Sequence, residues 1–265
     1  MSVIIGVPCC EKQSYVVERF IRNQEEIKQA TKTKTRLTFA TEEPAFAKRL
    51  EVLLVNTSLE YDIIHFTADV GQYYKLVNIT RAREAIRQHT TLGKSDYLLF
   101  VDFDIILDPD VVNVLLEEIR GYGAVYNSYL VHTGNVCTNG LGTCLIRREV
   151  LEQITFRCLI GSENPIWLYK WNAFIDECLY FELDTLSKGY RLKQGTFVTS
   201  GHYSGVLKVR WLLPAPRTRA EKVIHSWPVR RCMALFVNVA PVMLLLSVVQ
   251  FWLHIRLARG DSVPR

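Results

Sequence analysis

Tyr97-Leu-Leu-Phe-Val-Asp-Phe-Asp104 is the stretch on which the reading of this chain turns. Five apolar or aromatic residues in succession, with neither a helical period nor an alternation, are the pattern of a strand buried on both faces of a sheet. The run then breaks into two carboxylates flanking a phenylalanine. Two aspartates two residues apart share a face on an extended segment, and where a strand turns both can approach one cation. Asp108-Pro109 follows as a helix start, with Val111, Val114, Leu115 and Ile119 at helical spacing and Gly121 as the stop.

Working outward, strands and helices alternate. Val3–Val7 reads as an apolar strand, followed by a helix from about Ser14 that carries Val16, Val17, Phe20, Ile21 and Ile27. Arg36–Thr41 and Ile63–Phe66 read as further strands. Between them Pro44 opens a helix at its first position, with Phe46, Leu50, Leu53 and Leu54 inward. Arg81–His89 reads as a helix capped by Asn78 or Thr80. Beyond residue 120, Ala124–Val131, Gly142–Ile146 and Arg191–Val198 read as strands, and Ile175–Ser187 as a helix stopped by Gly189. This β-α alternation predicts a mainly parallel central sheet covered by helices, with ligands at the carboxyl ends of the strands.

The 265 residues, 49% hydrophobic and 22% charged, exclude wholesale disorder. The net charge of +5 hides an asymmetry: residues 1–205 are slightly acidic, and residues 206–265 hold 10 Lys and Arg against 2 Asp and Glu. An acidic body with a basic tail is not the footprint of a nucleic-acid-binding domain, and no nucleic acid is expected as a partner. It suits a tail that meets an anionic membrane surface. Seven cysteines without a CxxC pair suggest neither a disulfide framework nor a zinc ribbon, and fit a reducing compartment.

Three regions follow: a catalytic domain over 1–205, a basic juxtamembrane segment over 206–231, and a membrane helix with a short tail over 232–265. Cys232–Leu253 holds 22 residues without a formal charge. At about 1.5 Å per residue it can cross a bilayer core of about 30 Å, the rival reading being a buried or interfacial helix. Seven basic residues precede it and three follow, so the positive-inside rule places the body on the cytoplasmic side.

The Tyr97–Asp104 stretch with Asp108-Pro109 resembles the central strand and Asp-x-Asp motif of family 2 glycosyltransferases of the GT-A fold. Other segments resemble that family in its order: Ser2–Pro8 its opening strand, Ile79-Thr-Arg-Ala-Arg-Glu-Ala-Ile86 the helix before the motif, and Asn139–Val150 the strand lining the acceptor site. Asp176-Glu177 is similar to the acidic pair bearing the catalytic base, and Thr199-Ser-Gly-His202 to the segment that supplies a metal-binding histidine. The pair is inverted relative to the family's usual Glu-Asp, and Glu42-Glu43 stand where the family has an aspartate.

The resemblance implies an inverting, membrane-associated transferase using a UDP- or GDP-linked sugar donor. It further implies Mg²⁺ or Mn²⁺ held by Asp102, Asp104 and His202, and Asp176 or Glu177 as the base. Pro8, Glu42, Glu43, Arg81, Arg83 and Asp102 would meet the donor. A lipid-linked acceptor is expected from the membrane segment. Two rival readings stand beside it: a metal-dependent sugar nucleotidyltransferase, whose glycine-rich loop is replaced here by Pro8-Cys9-Cys10-Glu11-Lys12, and an inactive membrane-anchored binding protein of the same fold.

Overall fold

A computed structural model of the chain describes residues 1–70, 74–131, 136–160, 174–204, 209–213 and 215. Its first half runs β1 (Ser2–Pro8), a 3₁₀ turn (Glu11–Val16), α1 (Val17–Ala30), β2 (Lys34–Thr41), α2 (Pro44–Leu54), β3 (Tyr61–His65), α3 (Tyr74–Leu92), β4 (Tyr97–Val101), β5 (Ile105–Leu107) and α4 (Val111–Glu118). There follow β6 (Ala124–Asn127), β7 (Tyr129–Leu130), β8 (Val136–Cys137), β9 (Thr143–Arg147), α5 (Arg148–Leu151), β10 (Leu159–Ile160), β11 (Phe174–Ile175), α6 (Glu177–Ser187), β12 (Leu192–Gly195), β13 (Ser200–Ser204) and β14 (Val209–Leu213).

Seven strands form the central sheet in the order β12-β6-β9-β4-β1-β2-β3. The pairs β1–β2, β1–β4, β2–β3 and β6–β12 are parallel, and β9 is antiparallel to both β4 and β6. The mainly parallel sheet expected from the apolar strands is therefore present. The chain leaves β1 for β2 and β3 on one side and returns to β4 on the other. That reversal makes the carboxyl ends of β1 and β4 the topological switch point, where open α/β sheets bind ligands.

Alternation along the strands explains the two cores. Val3, Ile5 and Val7 of β1 and Leu99 and Val101 of β4 pack with Phe20 of α1, Phe46 of α2 and Val111 of α4. Ile4, Leu98 and Phe100 face the other way, onto Ile86 of α3, Val150 of α5 and Phe181 of α6. Gly6 faces α3 as well, where a Cβ would come within 2.5 Å of Ile86 Cγ2 and 2.9 Å of Leu98 Cδ1, so the close approach of helix and sheet requires glycine.

Several boundaries differ from the sequence reading. Helix α3 starts at Tyr74, so Asn78 and Thr80 lie inside it and cap nothing. Asn78 Oδ1 instead accepts the Asp69 N–H at 2.6 Å, and the Thr80 hydroxyl donates to the Leu76 carbonyl at 2.8 Å. Helix α4 begins at Val111 with Asp110 at its N-cap, and Asp108-Pro109 form the turn before it. Ala124–Val131 is interrupted at Ser128, whose N–H leaves to the Gly195 carbonyl at 2.7 Å.

Several strands had no sequence expectation, β5, β13 and β14 among them. Ser200–Ser204 pairs antiparallel with β5 and with Val209–Leu213, making a small three-stranded sheet. The latter strand falls in the stretch read as basic and juxtamembrane. The six cysteines among the described residues are free thiols. Met1–Pro216 forms one compact unit, and residues 217–265, with the expected span Cys232–Leu253, lie outside the described residues. Among the described residues no helix is long and apolar enough to cross a membrane.

Candidate functional site

Phe103 sets the geometry at the end of β4. It is fully buried and packs edge or tilted against Phe20, Phe39 and Phe46, with ring centroids 4.8 to 6.1 Å away. Burying such a ring is worth about 1.5–3 kcal/mol, enough to pin a short turn. The turn is closed by the Ile105 N–H to the Asp102 carbonyl at 2.9 Å, and the Asp102 N–H bonds the Gly142 carbonyl at 2.9 Å. Asp102 continues the parity of Leu98 and Phe100 and so belongs to the α3 and α6 side of the sheet.

There Asp102 Oδ1 accepts from Arg83 Nη2 at 2.8 Å, and Arg83 Nη1 pairs with Glu177 Oε1. Arg83 and Glu177 are 2% and 3% exposed, so neither is a surface group. Burial works against the Arg83 charge, but Asp102 and Glu177 outweigh it and raise the guanidinium pKa above its ordinary value. Burial also pushes the Glu177 carboxyl up, against the pull of Arg83.

Asp104 meets His202 across the small sheet. Strand β13 runs beside β5 with His202 opposite Ile105, and the Tyr203 N–H bonds the Asp104 carbonyl at 2.9 Å. This register brings His202 Nε2 to 3.4 Å from Asp104 Oδ2. His202 Nδ1 lies 2.8 Å from the Leu130 carbonyl, which can only accept, so Nδ1 carries a proton. Nε2 then faces a carboxylate, a contact that is favourable only with a proton or a metal ion on that nitrogen. Burial lowers the His202 pKa, and the bond to Asp104 more than reverses this, so the net shift is upward.

Two carboxylates and an imidazole oriented through its Nδ1–H have the donor chemistry of a divalent-cation site. Among the described residues, no three His, Cys, Asp or Glu side chains are gathered as a formed metal cage.

Gly142 closes the other side. A Cβ there would lie 2.6 Å from Asp102 Oδ2 and 2.7 Å from the Tyr129 hydroxyl. Asn139, at the start of the same loop, donates to Glu182 of α6 at 3.1 Å. Asp176 is half-buried and is the N-cap of α6, its Oδ1 accepting the Leu179 N–H at 2.9 Å. The fold thus brings Asp102, Arg83 and Glu177 together, sets Asp104 beside His202, and puts Asp176 next to Glu177 in sequence at the head of α6.

The remaining expected residues lie elsewhere around the mouth of the sheet. Pro8 ends β1 and is buried. Glu43 stands at the N-cap position of α2, its side chain accepting the Glu11 N–H instead of a helix N–H, while Glu42 Oε1 lies 3.5 Å from Asn78 Nδ2. Arg81 is exposed, donating to the Thr67 carbonyl at 2.8 Å with Asp69 at 3.7 Å. It does not join Arg83, which lies enclosed between its two carboxylates.

No protein-family profile matches the chain, and no curated protein sequence matches it. Solved structures do resemble it at low identity. One, from Desulfovibrio desulfuricans G20 and described as a candidate nucleotide-diphospho-sugar transferase, is 8% identical with a TM-score of 0.45, covering 72% of this chain and 78% of that one. S. aureus TarS 1-349 in complex with UDP-GlcNAc is 11% identical with a TM-score of 0.43, covering 59% of this chain. The match spans about half of that 1-349 chain, 49%. A candidate glucose-1-phosphate thymidylyltransferase from Bacillus anthracis is 10% identical with a TM-score of 0.45, covering 76% of this chain and 88% of that one.

Sequence reasoning missed Tyr129, Gly142 and the Arg83–Glu177 pair. Tyr129 is buried beside the Asp102 carboxylate, and burial holds its hydroxyl well above its ordinary pKa. A tyrosine within an apolar strand reads as core, and nothing local marks it otherwise. The even parity of Asp102 with Leu98 and Phe100 did carry a signal for the face on which its partner would lie.

Proposed function

We propose that this protein is a metal-dependent glycosyltransferase that moves a sugar, with inversion, from a nucleotide-diphosphate donor to a hydroxyl or phosphate acceptor. The observation that carries the reading is the placement of Asp102 and Asp104 at the carboxyl end of β4. They stand at the strand-order reversal of the sheet, with His202 delivered to Asp104 by a separate strand. A buried aromatic between two carboxylates, and an imidazole oriented by a backbone carbonyl, suit a site built to hold charge in one place.

Asp102, Asp104 and His202 would hold Mg²⁺ or Mn²⁺. When bound, the cation neutralises charge on the donor diphosphate and on the departing nucleotide. The chain's own residues supply the rest. The ends of β1 and β2, with Pro8, Glu42 and Glu43, border the switch point on the donor side. Asp176 is the better placed of the two acids to take the acceptor proton, because Glu177 is enclosed and engaged with Arg83. A carboxylate anchored by one oxygen at a helix N-terminus keeps its second oxygen for a proton transfer and holds its direction.

The acceptor belongs to the same proposal: a lipid-linked substrate met at a membrane surface, with the basic stretch and Cys232–Leu253 holding the body on the cytoplasmic side.

The test is hydrolysis or transfer from a panel of UDP- and GDP-linked sugars with and without Mn²⁺. Turnover of at least one donor, requiring the metal and lost in Asp104→Asn, is the expected result. A well-folded protein that hydrolyses and binds none of them contradicts the reading.

A further inference from the structure

Arg83 holds two carboxylates from two different elements at once, and it does so out of contact with water. Nη2 takes Asp102 Oδ1 at the end of β4, Nη1 takes Glu177 Oε1 in the first turn of α6, and the guanidinium lies 5.8 Å from the Phe100 ring centroid. We infer that Glu177 and Arg83 act as a positioning pair: Glu177 fixes the Arg83 guanidinium, which in turn fixes the Asp102 carboxylate for the donor. The inference rests on the transferase reading for what Asp102 binds. It changes the role of Glu177 from a base that meets the acceptor to a group that acts on the donor side through another side chain.

Two observations separate this from a merely structural ion pair. First, a buried pair of this kind is a poor source of stability, because desolvating both charges consumes most of the attraction, and apolar residues of similar volume often serve better. Here the pair is also incompletely satisfied: Arg83 Nε and Glu177 Oε2 have no hydrogen-bond partner among the described residues. Second, the third member is not buried. The Asp102 side chain is 23% exposed while those of Arg83 and Glu177 are 2% and 4% exposed, so the clamp runs from the interior out to a solvent-accessible carboxylate. With Oδ1 tied to Arg83, Oδ2 is the oxygen directed at the Gly142 and Tyr129 side, where no Cβ intervenes. A carboxylate held by one oxygen has one rotamer, and ordering it beforehand lowers the cost of binding a charged ligand.

The pair can be tested without relying on turnover. Arg83→Met would leave Glu177 as an uncompensated buried charge and would report on folding. Glu177→Gln removes that charge at nearly constant shape. Arg83→Lys keeps a compensating charge but replaces the two-armed fork with a point donor. Binding of UDP and GDP with Mn²⁺ is measured by calorimetry for the full chain and its Glu177→Gln and Arg83→Lys variants, beside their melting temperatures and a crystal structure of Glu177→Gln.

Nucleotide affinity roughly tenfold weaker in both variants, a coupling within the usual range for contacting groups, with the melting temperature maintained and Asp102 displaced from Arg83, is the expected outcome. Unchanged affinity with lost turnover in Glu177→Gln would make Glu177 the base and overturn the pair. If the wild-type protein binds neither nucleotide, the transferase reading falls. The pair is then judged by the Glu177→Gln structure alone, where an Asp102 carboxylate in its original place overturns it.

Discussion

Asp176 and Glu177 are neighbours with opposite surroundings, and that difference sets what each can do. Asp176 Oδ1 caps α6 through the Leu179 N–H, a bond an asparagine oxygen can also make. Asp176→Asn should therefore keep the fold and the nucleotide affinity while losing turnover. Asp176→Ala should lose turnover and, in addition, about 1 kcal/mol of stability, read from denaturant midpoints. Equal turnover in Asp176→Asn and wild-type protein would remove the base role from this residue.

His202 allows a prediction of a different kind. Its pKa is raised in the folded protein, so the native state binds its proton more tightly than the unfolded chain does. The resulting stability is fully present below the ordinary value of 6.5 and is lost as the pH rises through the raised folded value. Melting temperatures measured in chelator should show this fall in wild-type protein and lack it in His202→Gln. Parallel pH profiles for the two proteins would mean that the Asp104 contact does not form in solution.

At the scale of elements, the site depends on how closely β9 and its leading loop approach the end of β4. Gly142→Ala places a methyl group 2.6 Å from Asp102 Oδ2. One of the two must move, and overpacking of this sort costs about 1–3 kcal/mol. Nucleotide binding should weaken more than the loss of stability explains, because the displaced atom belongs to the site. A variant that loses stability but binds as wild type would place the ligand elsewhere.

The elements that sequence alone made legible were those whose burial was uniform. Tyr97–Val101 and Val3–Val7 are apolar throughout because helices cover both faces, and Phe46 and Leu50 repeat at helical spacing because α2 buries one side. Strands β5, β13 and β14 were not legible for the opposite reason. They are only three to five residues long, β13 mixes glycine, serine and histidine, and β5 exists through pairing with β13 across about 95 residues of chain. The same distance hid the Arg83–Glu177 contact, whose members are 94 residues apart. Helix α3 was read too short because Asn78 and Thr80 have the chemistry of caps. Asn78 instead orders the segment before the helix and Thr80 bonds back within it.

For the molecule as a whole, the compact unit extends to Pro216, and β14 pairs with the strand that carries His202. A fragment of residues 1–216 should be more stable than one of residues 1–205. Each kcal/mol of lost pairing shows as about 2–4 °C in melting temperature for a chain of this size. The shorter fragment should lose metal-dependent nucleotide binding first, since β13 is then an edge strand. Equal stability and binding in the two would show that β14 contributes nothing to the site.

The central claim is that Asp102, Asp104 and His202 hold a divalent cation against a nucleotide diphosphate. Calorimetric titration of UDP and GDP into the full-length protein, with and without Mn²⁺ and repeated on Asp104→Asn, tests it most directly. The account predicts binding of one nucleotide to wild-type protein that requires Mn²⁺ and disappears in an Asp104→Asn protein that remains folded. Binding that is indifferent to both the metal and the substitution, or no binding of either nucleotide to the folded wild-type protein, would contradict it.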